Sequence, residues 1–365
     1  MEKRKNLSVL LLAGLFLWGF GLWSLIKPPS AMSVSERRPL ATFPDLTAGT
    51  VASGEFMSGF ETYAADQFPL REEFRRLKAV TAFRIFGQRD SNGIYIADGY
   101  AAALEYPMDT DSLQHAADRF RFVYDRYLAG RDMDVYLSVI PDKSLFLAGP
   151  NGIPAMDYGA FAAALCDSME YAAYIDIMPL LELGDYYRTD IHWRQEKITD
   201  VAEHLAAGMG VSLRLEYTER QADAPFYGVY YGQSALPLTA DTLCWLDSPA
   251  LEHMTVYDFE TGGYIPVYAP EKTEGYDPYE MFLGGSKSLL VIENPEAATG
   301  KELLLFRDSF GSSIAPLLAE GYTKITLIDI RYISPSMLDR FIPFDGQDVL
   351  FLYSVPVLNN SETIK

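Results

Sequence analysis

The strongest constraint on this chain is a long apolar run near its N-terminus. Residues Leu7–Ile26 contain no charged side chain. Twenty helical residues are about 30 Å long, which matches the hydrocarbon core of a bilayer. Basic residues precede the run, so the short N-terminal flank is expected in the cytoplasm and the rest of the chain outside. We predict a membrane anchor over residues 1–27, with residues 7–26 in the lipid bilayer.

A cleaved signal peptide is the alternative interpretation of this run. The apolar core of a signal peptide is about 7–15 residues long and precedes a cleavage site with small residues. The run here is longer, and no such site follows it. Both interpretations place the bulk of the chain outside the cytoplasm.

The charge balance excludes one class of partner. The 365 residues include 30 basic and 50 acidic side chains, for a net charge of −20. Binding nucleic acid requires basic surface to neutralise phosphates, so no nucleic acid is expected. The two cysteines, Cys166 and Cys244, are compatible with one disulfide or with two separate thiols and do not decide the compartment.

Composition and periodicity divide the rest of the chain into three regions. Residues 28–54 are rich in proline, serine and threonine and predict a stalk. Residues 55–88 have apolar side chains at helical spacing on both sides of Pro69, which predicts a helical lead-in of two helices. Residues 89–365 are predicted to form the main domain, with an aromatic-rich insertion near 213–280 that lines the site.

The main domain alternates short apolar runs with amphipathic helical segments. This alternation is typical of a sheet with helices on both faces. We therefore predict an α/β fold, namely a three-layer α/β/α domain with a mostly parallel sheet. The runs expected to form strands are Asp134–Ile140, Leu289–Ile292, Leu303–Phe306, Ile325–Ile330 and Val349–Tyr353.

A serine occupies a position that suits a nucleophile. Ser309 follows the apolar run Leu303–Phe306 and precedes a helical segment. A tight strand-to-helix turn presents its side chain at the carboxyl edge of the sheet, and the helix N-terminus offers amide donors to an oxyanion. The alternative is that Ser309 only caps the helix.

A base for this serine is available in the segment Tyr187–Trp193. Asp190 and His192 alternate there and point to the same side of an extended chain, although a direct carboxylate–imidazole hydrogen bond requires local bending. A carboxylate at the imidazole would fix its tautomer for proton transfer. The alternatives are a structural histidine and a metal site, but no third ligand has supportive spacing. We expect no metal and no cofactor.

Five stretches together resemble the DHHW family of Gram-positive bacteria and, more distantly, the alginate O-acetyltransferases AlgJ and AlgX. These proteins share an SGNH-hydrolase-like fold. The stretches are Tyr63–Arg71, Asn92–Tyr95, Pro141–Lys143, Tyr187–Trp193 and Leu303–Tyr332. The resemblance spans nearly everything after the stalk. One departure is Ile191, which occupies the second position of the Asp-His-His-Trp signature.

The resemblance implies a catalytic triad and its supporting residues. Ser309 would be the nucleophile, His192 the general base and Asp190 the residue that orients it. The residues implied as oxyanion donors or supports are Gly285, Ser286, Phe310 and Arg331. Ser286 stands where DHHW proteins tend to have asparagine, so a side-chain donor at that position is in doubt.

The resemblance also implies a function. The expected activity is extracytoplasmic O-acetyl transfer to a cell-surface or exported polysaccharide through an acyl-serine. The expected partners are the polysaccharide substrate and a membrane-bound O-acyltransferase that supplies the acyl group. The alternatives are a carbohydrate acetylesterase, a lipase-like esterase, and a glycan-binding or assembly protein with an idle triad.

Overall fold

A computed structural model describes residues 2–214 and 216–365 of the chain. Met1 of the predicted anchor and Leu215 of the predicted insertion lie outside the described residues. The α-helices are α1 (Glu2–Ile26), α2 (Ala48–Ser53), α3 (Glu55–Asp66), α4 (Arg71–Arg84), α5 (Thr110–Val123), α6 (Ser144–Leu147), α7 (Tyr158–Ser168), α8 (Thr199–Gly208), α9 (Val229–Ser234), α10 (Gly311–Leu318) and α11 (Val355–Leu358). The strands are β1 (Met32–Ser33), β2 (Arg38–Pro39), β3 (Asp90–Ser91), β4 (Ile94–Ala97), β5 (Tyr100–Ala103), β6 (Val135–Ile140), β7 (Ala173–Tyr174), β8 (Thr218–Phe226), β9 (Asp241–Asp247), β10 (Thr255–Asp258), β11 (Gly263–Ile265), β12 (Leu289–Glu293), β13 (Glu302–Arg307), β14 (Lys324–Ile328) and β15 (Asp348–Ser354).

One compact unit consists of residues 2–92 together with 231–237. Within α1, the segment Arg4–Ile26 is long and apolar enough to cross a membrane, with a mean hydropathy of 2.2 in its most apolar window. α3 and α4 are separate helices because Pro69 lies between them, and proline has no amide proton to continue a helix. The predicted boundaries of anchor, stalk and lead-in stay predictions.

Ion pairs stabilise this unit around α3 and α4. Arg38 makes two hydrogen bonds to the Asp66 carboxylate, at 2.9 and 2.6 Å. These bonds hold the pKa of Asp66 at about 2. Arg71 and Arg75 reach Glu36 at 2.6 and 3.1 Å. The segment around β2 is therefore joined to both helices by charge-assisted contacts.

The other compact unit, residues 93–230 with 238–365, contains the main sheet. Its eight strands run in the order β11-β10-β12-β14-β13-β15-β6-β7. β14, β13, β15, β6 and β7 are parallel, whereas β12, β10 and β11 are antiparallel to their neighbours. Every residue of β15 is buried, as expected for a parallel strand that is covered on both faces.

Helices cover both faces of this sheet. α8 and α10 pack on one face through residues such as Leu205 and Ile314. α5, α7 and α11 pack on the other face through residues such as Phe120, Phe161 and Leu358. The predicted three-layer α/β/α fold with a mostly parallel sheet is therefore confirmed.

The aromatic-rich region near 213–280 is more regular than its sequence suggested. β8 and β9 form an antiparallel hairpin with an irregularity between Gln221 and Pro225. β10 and β11 extend the main sheet at its antiparallel edge. β10 and β11 have only four and three residues, which is too short for a clear periodic pattern. Whether this region is an insertion that lines the site stays a prediction.

The cysteines do not form a disulfide. Cys166 on α7 is half-buried, Cys244 on β9 is buried, and both are free thiols.

The parallel strands bring two separate chain segments to one edge of the sheet. β13 ends at Arg307 and β6 ends at Ile140, with β15 between them. Parallel strands all end at the same edge. The turn with Ser309 and the segment Pro141–Lys143 therefore both lie at the carboxyl edge.

Candidate active site

Asp190, His192 and Ser309 form a continuous hydrogen-bonded relay. The Nδ1 atom of His192 lies 2.6 Å from Asp190 Oδ1, and its Nε2 atom lies 2.8 Å from Ser309 Oγ. In this geometry Nδ1–H donates to the carboxylate while Nε2 accepts from the serine hydroxyl. Asp190 is fully buried and Ser309 is half-buried, so the serine is the less buried end of the relay.

Asp190 and His192 lie on a tight loop. Tyr186 and Trp193 form an isolated antiparallel bridge, and the Tyr187 amide donates to the His192 carbonyl at 3.2 Å. The His192 amide also donates to Asp190 Oδ1 at 3.1 Å. This closure supplies the bending that an extended segment would lack.

A buried lysine holds the backbone of this loop. The Lys143 ammonium donates to the carbonyls of Tyr187, Arg188 and Asp190, at 2.5, 3.3 and 2.7 Å. It also lies 5.2 Å from the centre of the Tyr230 ring. Burial lowers the pKa of Lys143 to about 7, against the opposing effect of nearby carboxylates. Lys143 thus places a hydrogen-bond donor under the loop that holds Asp190 and His192.

Asp241 holds the loop from another direction. Its carboxylate accepts hydrogen bonds from the amides of Arg188 and Thr189, at 2.9 and 2.8 Å, and from the Thr189 hydroxyl at 2.6 Å. Three bonds to one carboxylate restrict the residues that immediately precede Asp190.

The second oxygen of Asp190 is also satisfied. Asp190 Oδ2 accepts from the Val229 amide at 2.8 Å. The preceding residue, Gly228, approaches the loop so closely that a Cβ atom there would lie 2.2 Å from the Cβ of Asp190. Only glycine allows this approach. The orientation of the Asp190 carboxylate thus depends on backbone that follows β8.

The Ser309 turn is held mainly by Asp308. The Asp308 carboxylate accepts from the Phe310 amide at 3.0 Å and from the Ser354 amide at 2.8 Å. The second bond ties the turn to the end of the neighbouring strand β15. The side chain of Arg307 is fully buried beneath α10, and burial lowers its pKa. Among the described residues its Nε and Nη2 atoms have no hydrogen-bond partner.

An aromatic side chain covers the imidazole. The Tyr279 ring stacks on His192 with centroids 3.8 Å apart and an interplanar angle of 7°. The Tyr279 hydroxyl and the Trp193 indole both donate to Ser313 Oγ, at 2.9 and 2.8 Å. Ser313 Oγ in turn donates to the Phe310 carbonyl at 3.3 Å. Burial raises the pKa of Tyr279 well above its usual value, so its hydroxyl stays protonated.

The four predicted oxyanion or support residues have other contacts. The Gly285 amide donates to the Phe282 carbonyl at 3.0 Å, and Ser286 is exposed. The Phe310 ring lies 4.9 Å from the His192 ring, while its amide donates to Asp308. Arg331 makes two bonds to Asp329, at 2.9 and 2.7 Å. In the described part of the chain, none of the four is hydrogen-bonded to Ser309 or His192, and their roles stay predictions.

Sequence reasoning assigned no role to several residues that contact the relay or the loop that carries Asp190 and His192. The sequence did indicate a position for Lys143, because this residue lies three positions after a buried strand that ends at the carboxyl edge of the sheet. Nothing in the sequence distinguishes Tyr279 from the other tyrosines of its region. Gly228 and Asp241 contact the backbone of the loop around Asp190, from which they are distant in the sequence. Across residues 2–214 and 216–365, no group of three or more His, Cys, Asp or Glu side chains is placed to hold a metal ion.

Fold and site together describe a three-layer α/β protein with a serine–histidine–aspartate relay at the carboxyl edge of its sheet. No protein-family model and no curated protein match the sequence. Solved structures do. A DHHW family protein from Eubacterium siraeum DSM 15702 is similar with a TM-score of 0.61 and 20% identity, covering 75% of this chain and 95% of that chain.

Two further solved structures are similar. Bacillus cereus PatB1 has a TM-score of 0.54 at 17% identity, covering 74% of this chain and 98% of its own, and it has also been solved with a sulfonyl adduct. The O-acetyltransferase domain of Pseudomonas putida AlgJ, at a TM-score of 0.45 and 13% identity, covers 73% of this chain and 92% of its own and is too distant to support a functional comparison. The predicted resemblance to DHHW proteins is confirmed, and at these identities it establishes the fold.

Proposed function

We propose that this chain is an extracytoplasmic O-acetyltransferase that modifies a polysaccharide through an acyl-serine intermediate on Ser309. The observation that carries the proposal is the position of His192, whose two ring nitrogens lie 2.6 Å from Asp190 and 2.8 Å from Ser309. A serine that is hydrogen-bonded to an oriented imidazole is the arrangement required for nucleophilic acyl transfer.

In the first half-reaction Ser309 Oγ attacks the carbonyl carbon of an acyl donor. Its proton passes to His192 Nε2 as the new carbon–oxygen bond forms. The resulting imidazolium is stabilised by Asp190 through Nδ1–H. When the tetrahedral intermediate collapses, the bond to the leaving group breaks and the leaving group takes the proton from Nε2. The products are acyl-serine and the free leaving group.

In the second half-reaction a sugar hydroxyl attacks the acyl-serine. His192 Nε2 removes the proton of this hydroxyl and then returns it to Ser309 Oγ as the serine ester bond breaks. The acyl group leaves on the sugar, and the relay is restored. Water in place of the sugar would give ester hydrolysis, so the identity of the acceptor separates a transferase from an acetylesterase.

The proposed location follows from α1. A helix that is apolar enough to span a bilayer, with basic residues before it, would hold the folded region outside the cytoplasm. A membrane-bound O-acyltransferase is the proposed source of the acyl group, and anchoring would keep the serine near that source.

Acetylation of the full chain tests the proposal. The purified protein in detergent is mixed with p-nitrophenyl acetate, with and without chitopentaose or xylohexaose as acceptors. We expect release of p-nitrophenol, one acetyl group on the peptide that contains Ser309, and acetylated oligosaccharide by mass spectrometry. The sulfonyl adduct of PatB1 suggests a second probe, because an activated serine should also react with a sulfonyl fluoride.

Two serine variants make the test specific. Ser309→Ala is expected to lower p-nitrophenol release by about 10³-fold or more, to the background of the remaining site. Ser312→Ala is the matched control, because the buried Ser312 hydroxyl has no hydrogen-bond partner among the described residues. Equal rates for Ser309→Ala and the unmodified chain would exclude the nucleophile. Acyl-serine without oligosaccharide acetylation would favour the esterase.

A further inference from the structure

Helix α4 has an apolar stripe on its exposed side. Phe74 and Leu77 of α4 and Ile85, which directly follows it, are spaced by 3 and 8 residues in the sequence, which places them on one side of a helix at 100° per residue. Leu77 and Ile85 are 62% and 73% exposed, while Ala79, on the other side, is buried. Leu77 and Ile85 therefore face away from the rest of the unit, whereas Phe74 packs on aromatic rings within it.

Basic side chains flank the stripe. Residues 71–89 contain six basic and two acidic side chains, although the whole chain has a net charge of −20. Arg71 and Arg75 are paired with carboxylates. The exposed basic residues of this segment are Arg76, Lys78, Arg84 and Arg89. A helix with an apolar side and flanking cations suits the surface of a membrane that contains anionic lipids.

An aromatic contact between α1 and the start of α4 indicates how deep in a bilayer α4 would begin. Phe20 of α1 stacks on Phe68, with centroids 5.3 Å apart, and meets Phe74 edge-on at 5.7 Å. Phe20 lies six residues before Ile26, the end of α1, which corresponds to about 9 Å along the helix axis. If α1 spans a bilayer, Phe68 and Phe74 lie below the level at which α1 leaves it. Interfacial helices bury their apolar side to about 5–10 Å.

We propose that α4 lies in the outer surface of the same bilayer that α1 spans. Leu77 and Ile85 then enter the boundary between headgroups and acyl chains, and Lys78 and Arg84 lie at lipid phosphates. This inference rests on the proposed anchorage of the chain by α1. A protein partner would also cover an apolar stripe, but the aromatic contact with α1 and the excess of cations favour lipid.

Nitroxide labels on the full chain in liposomes test this orientation. Single cysteines replace Leu77 or Ile85 in a chain with Cys166→Ser and Cys244→Ala, reconstituted in phosphatidylethanolamine–phosphatidylglycerol vesicles. Power saturation then compares accessibility to oxygen, which concentrates in lipid, with accessibility to a water-soluble nickel chelate. Matched control labels are placed at Arg76, on α4 but away from the stripe, at Asp111, on the exposed surface of α5, and at Leu12, within α1.

We expect labels at Leu77 and Ile85 to be accessible to oxygen and protected from nickel, and labels at Arg76 and Asp111 to show the reverse. Vesicles of phosphatidylcholine alone should reduce the protection at Leu77, because the attraction of the cations is lost.

Nickel access at Leu77 and Ile85, with Leu12 in lipid, would overturn the orientation of α4 but leave the anchor intact. Protection from both reagents would indicate a protein partner instead. A label at Leu12 that is open to nickel would refute the anchor and with it the inference.

Discussion

Two segments bring the relay together, and they are stabilised in different ways. The loop 186–193, with Asp190 and His192, belongs to no strand or α-helix and is held by groups from distant parts of the chain. The turn 307–311, with Ser309, is a direct connection from β13 to α10 and is held mainly by its own Asp308. Asp190 and His192 thus depend mainly on groups from distant parts of the chain, whereas Ser309 depends mainly on the adjacent Asp308, with one distant contact to the Ser354 amide. Substitutions far from the relay should therefore affect the loop more than the turn.

Among substitutions outside the relay, the largest effect is expected from Gly228→Ala. The added Cβ would lie 2.2 Å from Asp190 Cβ and 2.4 Å from its Cα, so the loop must move. A displacement of about 1 Å in a catalytic group can cost about 100-fold in rate, and we expect at least that loss of p-nitrophenyl acetate turnover. Gly263→Ala is the matched control, since a Cβ there has no atom within 4 Å. Equal loss in both variants would contradict the dependence on close approach.

A smaller loss is expected from Lys143→Met. Methionine fills much of the same space but leaves the carbonyls of Tyr187 and Asp190 without their donor. Unpaired buried polar groups cost about 1–3 kcal/mol, which corresponds to about 10-fold to 100-fold if the cost falls on the active arrangement. Turnover and His192 Nδ1 proton chemical shifts would be compared with those of the unmodified chain. An unchanged imidazole signal would show that Lys143 does not position the loop.

The same lysine predicts a pH dependence of stability. The pKa of Lys143 is lowered to about 7 in the folded chain, whereas an unfolded lysine keeps its ordinary value near 10.4. Between these values the unfolded chain binds the extra proton, so the free energy of unfolding should rise with pH by about 1 kcal/mol per pH unit from this group. Urea unfolding from pH 7 to 9 should show that rise, and Lys143→Met should lack this part of it.

For the turn we expect a local effect from Asp308→Ala. The amides of Phe310 and Ser354 would lose their acceptor, and turnover should fall about 10-fold. The result sharpens the contrast between the two segments, because the His192 signals of the loop should stay unchanged. A shift of those signals as large as in Lys143→Met would show that the two segments are not independent.

The smallest effect is expected from Tyr279→Phe. The ring that stacks on His192 is kept, and only the hydroxyl bonded to Ser313 is removed. One neutral hydrogen bond contributes about 1 kcal/mol, so we expect a loss of about fivefold or less in turnover. Tyr279→Ala, which also removes the ring, should lose more. Equal losses of turnover in Tyr279→Phe and Tyr279→Ala would show that the hydroxyl, and not the stacked ring, supports the reaction.

The sequence predicted the class of fold and the two segments of the relay, because both carry local signals. The apolar runs that became β13 and β15 have buried residues throughout, and Asp190 and His192 are two positions apart. The contacts that orient the relay have no such signal. Tyr279 and Asp241 reach the loop only through tertiary packing, and their spacing from His192 in the sequence has no physical meaning.

The edge of the sheet was also difficult to predict, for a different reason. β10 and β11 are short, and Tyr264 on β11 is exposed. Periodicity identifies strands by the contrast between apolar and polar positions, and an edge strand with few apolar residues shows little contrast. Periodicity therefore does not predict β10 and β11 within the region near 213–280.

The shared hydroxyl of Ser313 has a consequence for genome surveys. It accepts hydrogen bonds from Trp193 and Tyr279 and donates to the carbonyl of Phe310, so three segments around the relay meet at one oxygen atom. A relative with alanine at this position would keep both short motifs and would be counted as intact by a motif search. Surveys of related sequences should score position 313 together with the three residues of the relay.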